Sequence, residues 1–354
     1  MRALINPHVN PTAVPAPSAE AQPFHAGLRG YAPTPLRDLP ALAAELGLGA
    51  VGLKDESDRL GLPAFKVLGA SWAIERALRE RPDVHTVVAA SAGNHGRAVA
   101  RVAAQRGLRC RIFLPARAAP ARRAAIEAEG ADVYVVERTY EHALALAAAE
   151  AGEPGVVEIA DAGAEGPPRW VIDGYATLFA EVAAQAAFDL LLVPVGVGSL
   201  AAAAVRFAAA HGVRAIGVEP VTAACLTASL TAGAPTPVAT PGTTMAGLDC
   251  AEVSPAAWPD LRAGLAGTVT VSDPEVHAAM RELAAAGLEI GDCGAAPLAA
   301  LRALAAEPGC AELAAAVGLG AGTRVLLLGT EGATDPAAYR AVVRTGAAAG
   351  APEA

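Results

Sequence analysis

Of the 27 cationic side chains in this sequence only two are Lys, Lys54 and Lys66; the rest are Arg. A guanidinium stays protonated and is a poor nucleophile, whereas a Lys amine can lose its proton and attack a carbonyl. A Lys kept where Arg is the habitual cation is therefore a candidate for covalent chemistry. Lys66 lies in Pro63-Ala64-Phe65-Lys66-Val67-Leu68-Gly69, among apolar residues and beside a helix start. Burial and the positive end of a helix both lower an amine pKa, which predicts a neutral, nucleophilic Lys66. The competing reading is a surface Lys with its head in water. For Lys54, chance survival and a role that only Lys can serve are equal readings.

Three more segments carry usable groups. Ser91-Ala92-Gly93-Asn94-His95-Gly96 has glycines that let the backbone approach a ligand, and Ser91 and Asn94 offer polar side chains. A helix starting there would present free N–H groups to an anion; a tight turn capped by Asn is the competing reading. Val195-Gly196-Val197-Gly198-Ser199 can cradle a phosphate on backbone N–H groups, with a hydroxyl donor from Ser199. It is too short for a dinucleotide fingerprint, and no Walker Lys follows. In Gly329-Thr330-Glu331-Gly332, the Thr330 hydroxyl can face a ring nitrogen, or the segment is simply a loop. An amine, a phosphate cradle, an Asn for a ring hydroxyl and a hydroxyl for a pyridine nitrogen together make the inventory for pyridoxal 5′-phosphate.

The elements that must position these groups follow from the apolar pattern. Short unalternating runs at 86–90, 110–114, 133–136, 156–159, 190–195, 215–218 and 325–328 read as strands buried on both faces. Helical stretches alternate with them at 66–80, 96–106, 117–129, 139–151, 173–186, 199–211, 273–286 and 295–306. That alternation predicts an α/β fold of two lobes, each an open, mostly parallel sheet flanked by helices. Ligands of such sheets bind beyond the carboxyl ends of the strands, where the glycine-rich segments fall. The small lobe is expected at 84–172, between large-lobe pieces 25–83 and 173–354. Residues 1–24 hold five prolines and no apolar signal region, and read as an extended arm free to pack on a partner subunit.

With 354 residues the chain exceeds one small core, and 53% hydrophobic against 18% charged residues excludes disorder. A net charge of −9 without a basic stretch argues against a nucleic-acid partner. The longest uncharged run, 220–248, is broken by Pro and Gly and is no membrane span. Five scattered Cys fit neither a disulfide framework nor a zinc site, and no metal is expected; a reducing cytoplasm is.

The order Lys…SxGNHG…GxGS…TEG resembles the fold type II pyridoxal-phosphate enzymes, the tryptophan synthase β group. Within it, four stretches resemble the diaminopropionate ammonia-lyases: Tyr31 to Leu36 (YAPTPL), Lys54-Asp55-Glu56-Ser57 through Gly61-Leu62 to Ala64-Phe65-Lys66, Asp173 to Leu178 (DGYATL), and Met245 to Leu248 (MAGL). The resemblance spans about Gly30 to Asp335. It implies that Lys66 forms the Schiff base with the cofactor, that Asn94 contacts the ring hydroxyl, and that Gly196, Val197, Gly198 and Ser199 hold the phosphate. It also implies that Thr330 meets the pyridine nitrogen, leaving it largely unprotonated, which favours elimination over transamination. A family carboxylate that removes the α-proton matches Asp161; a turn Asp after a strand is the competing reading. A second family carboxylate, assigned to the D-isomer, falls on Ala92, which puts activity on D-substrates in doubt.

The resemblance implies β-elimination from L-2,3-diaminopropionate, giving pyruvate and two ammonia, by a cytoplasmic homodimer with no nucleic-acid or membrane partner. The alternatives are an L-serine/L-threonine dehydratase and a non-catalytic protein that binds the cofactor or an amino acid.

Overall fold

The computed structural model describes residues 2–116, 118–137 and 140–347. The expected first residues of the helices at 117–129 and 139–151, and the last of the large lobe, lie outside them. Eleven strands form among the described residues: β1 (Ala3–Ile5), β2 (Leu36–Asp38), β3 (Ala50–Asp55), β4 (Thr86–Ala90), β5 (Arg109–Pro115), β6 (Asp132–Val136), β7 (Val156–Glu158), β8 (Leu190–Pro194), β9 (Arg214–Pro220), β10 (Leu265–Val271) and β11 (Arg324–Gly329). They make two sheets, ordered β1-β10-β9-β8-β11-β3-β2 and β6-β5-β4-β7. The smaller sheet is parallel throughout. The larger is parallel in its interior, and antiparallel only where β1 and β2 close its edges. This is the α/β architecture of two open parallel sheets that the apolar runs imply.

Burial explains the run composition. Every residue of β4 and β8 is buried, because helices cover both faces of each sheet. All the segments with usable chemistry lie beyond carboxyl ends of strands. Ser91 follows β4, Asp161 follows β7, Gly196 follows β8, Thr330 follows β11, and the chain after β3 leads to Lys66.

Helix Lys66–Glu80 packs on helix Pro167–Gln185 at very short range. A Cβ at Gly69 would come 2.7 Å from Tyr175 Cε1, and one at Gly174 would come 2.6 Å from the Leu68 carbonyl oxygen. Two glycines thus let the helices touch and fix Tyr175 against the turn that carries Lys66. Other residues of the Asp173 to Leu178 stretch tie this helix to further neighbours. Thr177 bonds the buried His25 at 2.6 Å, and Asp173 pairs with Arg206 at 2.8 Å. The N-terminal segment, expected as an extended arm, is anchored on its own chain. Ala3–Ile5 pairs with β10, and Arg2 forms ion pairs with Glu275 and Glu307.

Lys54 is resolved as a structural Lys. It sits fully buried on β3, and its ammonium donates to Thr34 O at 2.8 Å, Glu181 Oε2 at 2.7 Å and Gln185 Oε1 at 2.9 Å. Three acceptors around one compact head match an ammonium and not a planar fork. Glu181 is held in turn by Arg59, which also grips Glu56. Burial lowers the Lys54 pKa against the pull of Glu181. Lys54→Met is expected to cost about 3–5 kcal/mol, because breaking a buried pair strands its partner. The urea midpoint of the apo protein reads it, and Lys54→Arg is expected to restore little.

Candidate active site

Lys66 is the first residue of its helix, and its Nζ donates to Asp161 Oδ2 at 2.8 Å; each side chain is about one-fifth exposed. The expectation of a neutral amine is corrected here. Burial does act to lower the Lys66 pKa, but the Asp161 charge overrides it and raises the amine above its ordinary value. Asp161 in turn lies well below the usual carboxylate range, burial being outweighed by the charge and hydrogen bond of Lys66. The resting pair is therefore an ammonium and a carboxylate in contact. Tyr175 lies beside it, and burial pushes its phenol up to about 12 against the pull of Lys66. The Phe65 ring packs tilted against Tyr175 with centroids 4.8 Å apart, and the Lys66 amine lies 5.5 Å from the Phe65 ring centre.

The loop after β8 runs Val195 to Gly198 into helix Ser199–His211. Gly198 adopts φ +97°, and a Cβ there would meet Leu261 Cδ1 at 2.6 Å. A Cβ at Gly196 would meet the Gly247 carbonyl at 2.7 Å. Only glycine fits at either place, so the amides of Gly196, Val197, Gly198 and Ser199 form a close-packed loop at a helix start. One expectation changes in detail. The Ser199 hydroxyl donates to the Asp161 carbonyl at 2.7 Å, so it ties the loop to the Asp161 segment. Met245 to Leu248, one of the family-like stretches, is the wall that supports this loop, with Met245 fully buried.

Asn94 and Thr330 close the remaining side. Asn94 Nδ2 donates to Glu331 in a very short contact. The Thr330 hydroxyl is 3% exposed and has no hydrogen-bond partner. Phe65 N donates to Thr330 O at 3.3 Å, and Ala64 bridges Glu331, so this loop is pinned to the Lys66 turn. Beneath it, acceptor atoms of Asp292, Cys293 and Glu331 lie within 4.8 Å of one another. Burial and the Glu331 charge push Asp292 up to about 7. Contacts therefore link Lys66, Asp161, Ser199, Asn94 and Thr330 into one cluster beyond the carboxyl ends of strands from both sheets. Ala92 is half-buried against the core and brings no carboxylate.

His95, Tyr175 and Glu331 all meet these residues, and reading the sequence assigns none of them a role. His95 and Tyr175 sit inside segments singled out for other residues, and Glu331 follows Thr330 directly. Adjacency to those segments was the available signal. Cys250 also joins the site: its thiol borders the Gly196 position and feels both Asp161 and Lys66.

Residues 28–328 match the family described as pyridoxal-phosphate dependent enzyme. The chain is 32% identical to the diaminopropionate ammonia-lyase of Salmonella typhimurium, over 93% of this chain and 92% of that one. It is 30% identical to the biosynthetic L-threonine dehydratase of Escherichia coli, over 71% of this chain but only 48% of the other. A crystal structure of diaminopropionate ammonia lyase from Escherichia coli in complex with D-serine superposes with a TM-score of 0.89 at 31% identity, covering 97% of each chain.

Proposed function

The chain belongs to the pyridoxal-phosphate-dependent enzyme family, and from that premise we propose that it is an ammonia-lyase acting on L-2,3-diaminopropionate. The reaction consumes one water and yields pyruvate and two ammonia. The observation that carries the reading is the Lys66–Asp161 contact, an amine and a base tied by Ser199 to an anion cradle. The relatives that match along almost their whole length supply the substrate.

The residues present fit the cofactor. The Thr330 hydroxyl is a buried polar group with no protein partner, as a group meant for a ligand would be. Glycines whose Cβ atoms would collide with the surroundings line an amide loop at a helix start, which suits a phosphate. Gly196, Val197, Gly198 and Ser199 would hold that phosphate, Thr330 the pyridine nitrogen, Asn94 the ring hydroxyl and Lys66 the reactive carbonyl carbon. When bound, the cofactor supplies an electron sink for charge developing at the substrate Cα.

The chain's own groups do the rest. Lys66 Nζ must lose a proton before it can react, and Asp161 Oδ2 is the acceptor within reach. Once that proton has passed on to solvent and Lys66 is engaged, Asp161 is a carboxylate with no ammonium against it, a free base. Asp161, or Lys66 after substrate has displaced it, then takes the α-proton. Tyr175 and Phe65 exclude water on one side, and approach of the two lobes would exclude it further. We assign the lobes to 84–172 and to 25–83 with 173–354.

A dehydratase is the second reading, because Ala92 replaces a carboxylate and the dehydratase relative matches most of this chain. Pyruvate release by the cofactor-loaded protein, with L-2,3-diaminopropionate and L-serine in parallel, separates the two. Rapid release from the diamine is expected, with the D-isomer slower because Ala92 supplies no base. Release mainly from serine would transfer the protein to the dehydratases. We further propose a homodimer in a reducing cytoplasm. Five free thiols support that compartment, and among the described residues no helix is long and apolar enough to cross a membrane.

A further inference from the structure

His95 takes no part in the mechanism above, yet it is placed as though built for it. It lies in the first turn of helix Asn94–Gln105 and is 3% exposed. Its Nε2 stands 2.7 Å from the carbonyl oxygen of Ile159. A carbonyl only accepts, so Nε2 carries the hydrogen. Burial holds the ring below the ordinary His pKa, with Lys66 adding to the effect and Asp161 opposing it. A neutral ring with hydrogen on Nε2 leaves Nδ1 as a bare lone pair. That atom is buried without a hydrogen-bond partner, and Asp161 Oδ2 stands 4.0 Å away.

Two acceptors 4.0 Å apart gain nothing from each other while neither carries a proton, and an unsatisfied buried acceptor is costly. The arrangement becomes favourable only when one of them is protonated. Asp161 Oδ2 is the atom proposed to receive the substrate α-proton. We infer that His95 Nδ1 is the acceptor that stabilises Asp161 in its protonated form, so that the carboxylate is a stronger base than its own position would make it. The inference rests on Asp161 being that base. His95 is thus a positioning residue: it acts through Asp161 and need not touch substrate.

The other groups around the pair leave this role to His95. Lys66 approaches from its helix start but is committed to the cofactor in the loaded protein. Tyr175, from helix Pro167–Gln185, and Cys250, from the loop after Met245, are both pushed up to about 12 by burial and stay neutral. The Ser199 hydroxyl is spent on the Asp161 carbonyl.

His95→Gln keeps a donor for Ile159 and removes the lone pair. Cofactor affinity and absorption should stay as in wild type, while turnover drops about tenfold, the worth of one hydrogen bond. The primary isotope effect with α-deuterated diaminopropionate should rise, and the acid limb of kcat/KM should move to lower pH. His95→Asn, with an acceptor near the Nδ1 position, should restore much of the profile. In an Asp161→Asn background, His95→Gln should change nothing further. Independently of activity, nitrogen NMR of the apo protein should show a neutral, Nε2-protonated His95 around pH 6–8. A ring protonated on Nδ1 would overturn the inference. So would an unaltered isotope effect and pH profile in an otherwise intact His95→Gln enzyme. Full turnover by Asp161→Asn would instead defeat the assignment of the base.

Discussion

Lys66→Ala is expected to lower pyruvate formation from diaminopropionate by about 10⁴-fold or more. Nothing else in the chain can take over. Lys54 is locked by Thr34, Glu181 and Gln185, and every other cationic side chain outside the His residues is an Arg, which cannot serve as the amine. Lys66→Arg should therefore fail as completely as Lys66→Ala. Cofactor can still enter the amide loop of Gly196 to Ser199, so weakened, non-covalent binding is the expected companion result. It would be seen as an absorption spectrum like that of the free aldehyde. The variant also strands Asp161, so its folding must be checked by circular dichroism before the rates are compared. Turnover retained by a folded Lys66→Ala protein would remove the basis for the proposed reaction.

Much of the architecture was legible because parallel strands are buried on both faces and write themselves as short apolar runs. Each of the seven runs is a strand, within one or two residues at its ends. The strands that escaped have physical reasons for doing so. β3 reads Ala-Val-Gly-Leu-Lys-Asp, and its buried Lys54 and Asp55 break the apolar pattern that marks a core strand. β10 is rich in Thr and carries Gly267, whose Cβ would lie 2.2 Å from the Leu4 carbonyl, so the edge strand β1 needs a glycine there. β1 and β2 have three residues each and no periodicity to detect. Helix Pro167–Gln185 begins six residues before the expected 173, at a pair of prolines that suit a first helical turn.

The site was legible as residue types but not as charge states. Glycine loops and the lone Lys66 are visible in a string of letters. Which partner Lys66 would meet is not, because Asp161 is 95 positions away and arrives on the other sheet. Helix dipole and burial alone predict a neutral amine; one carboxylate at 2.8 Å reverses the sign. The same holds for Lys54, whose three acceptors come from two separate segments. Pairing across long sequence separations decides both lysines, and no local rule contains it.

Asp161→Asn tests that pairing and the chemistry together. Turnover should fall by about 10²- to 10⁴-fold, the usual contribution of a placed general base. Cofactor should still bind, because the amide loop and Thr330 are untouched. Uptake itself should shift toward neutral pH. Without the Asp161 charge, burial is left to act on Lys66 and brings the amine down from its raised value. Stability carries a second signature. The Asp161 pKa is depressed on folding, so its stabilisation is present above about pH 3.9 and lost as pH falls further. The Lys66 pKa is raised, so its share is complete below about pH 10.4 and lost above that. The stability gap between wild-type and Asp161→Asn apo proteins should therefore be flat across the neutral range and shrink toward both extremes. A gap that shrinks in this way, with turnover near wild type, would leave Asp161 as the counter-ion of a resting amine. The α-proton would then fall to Lys66 itself, whose amine already touches that carboxylate.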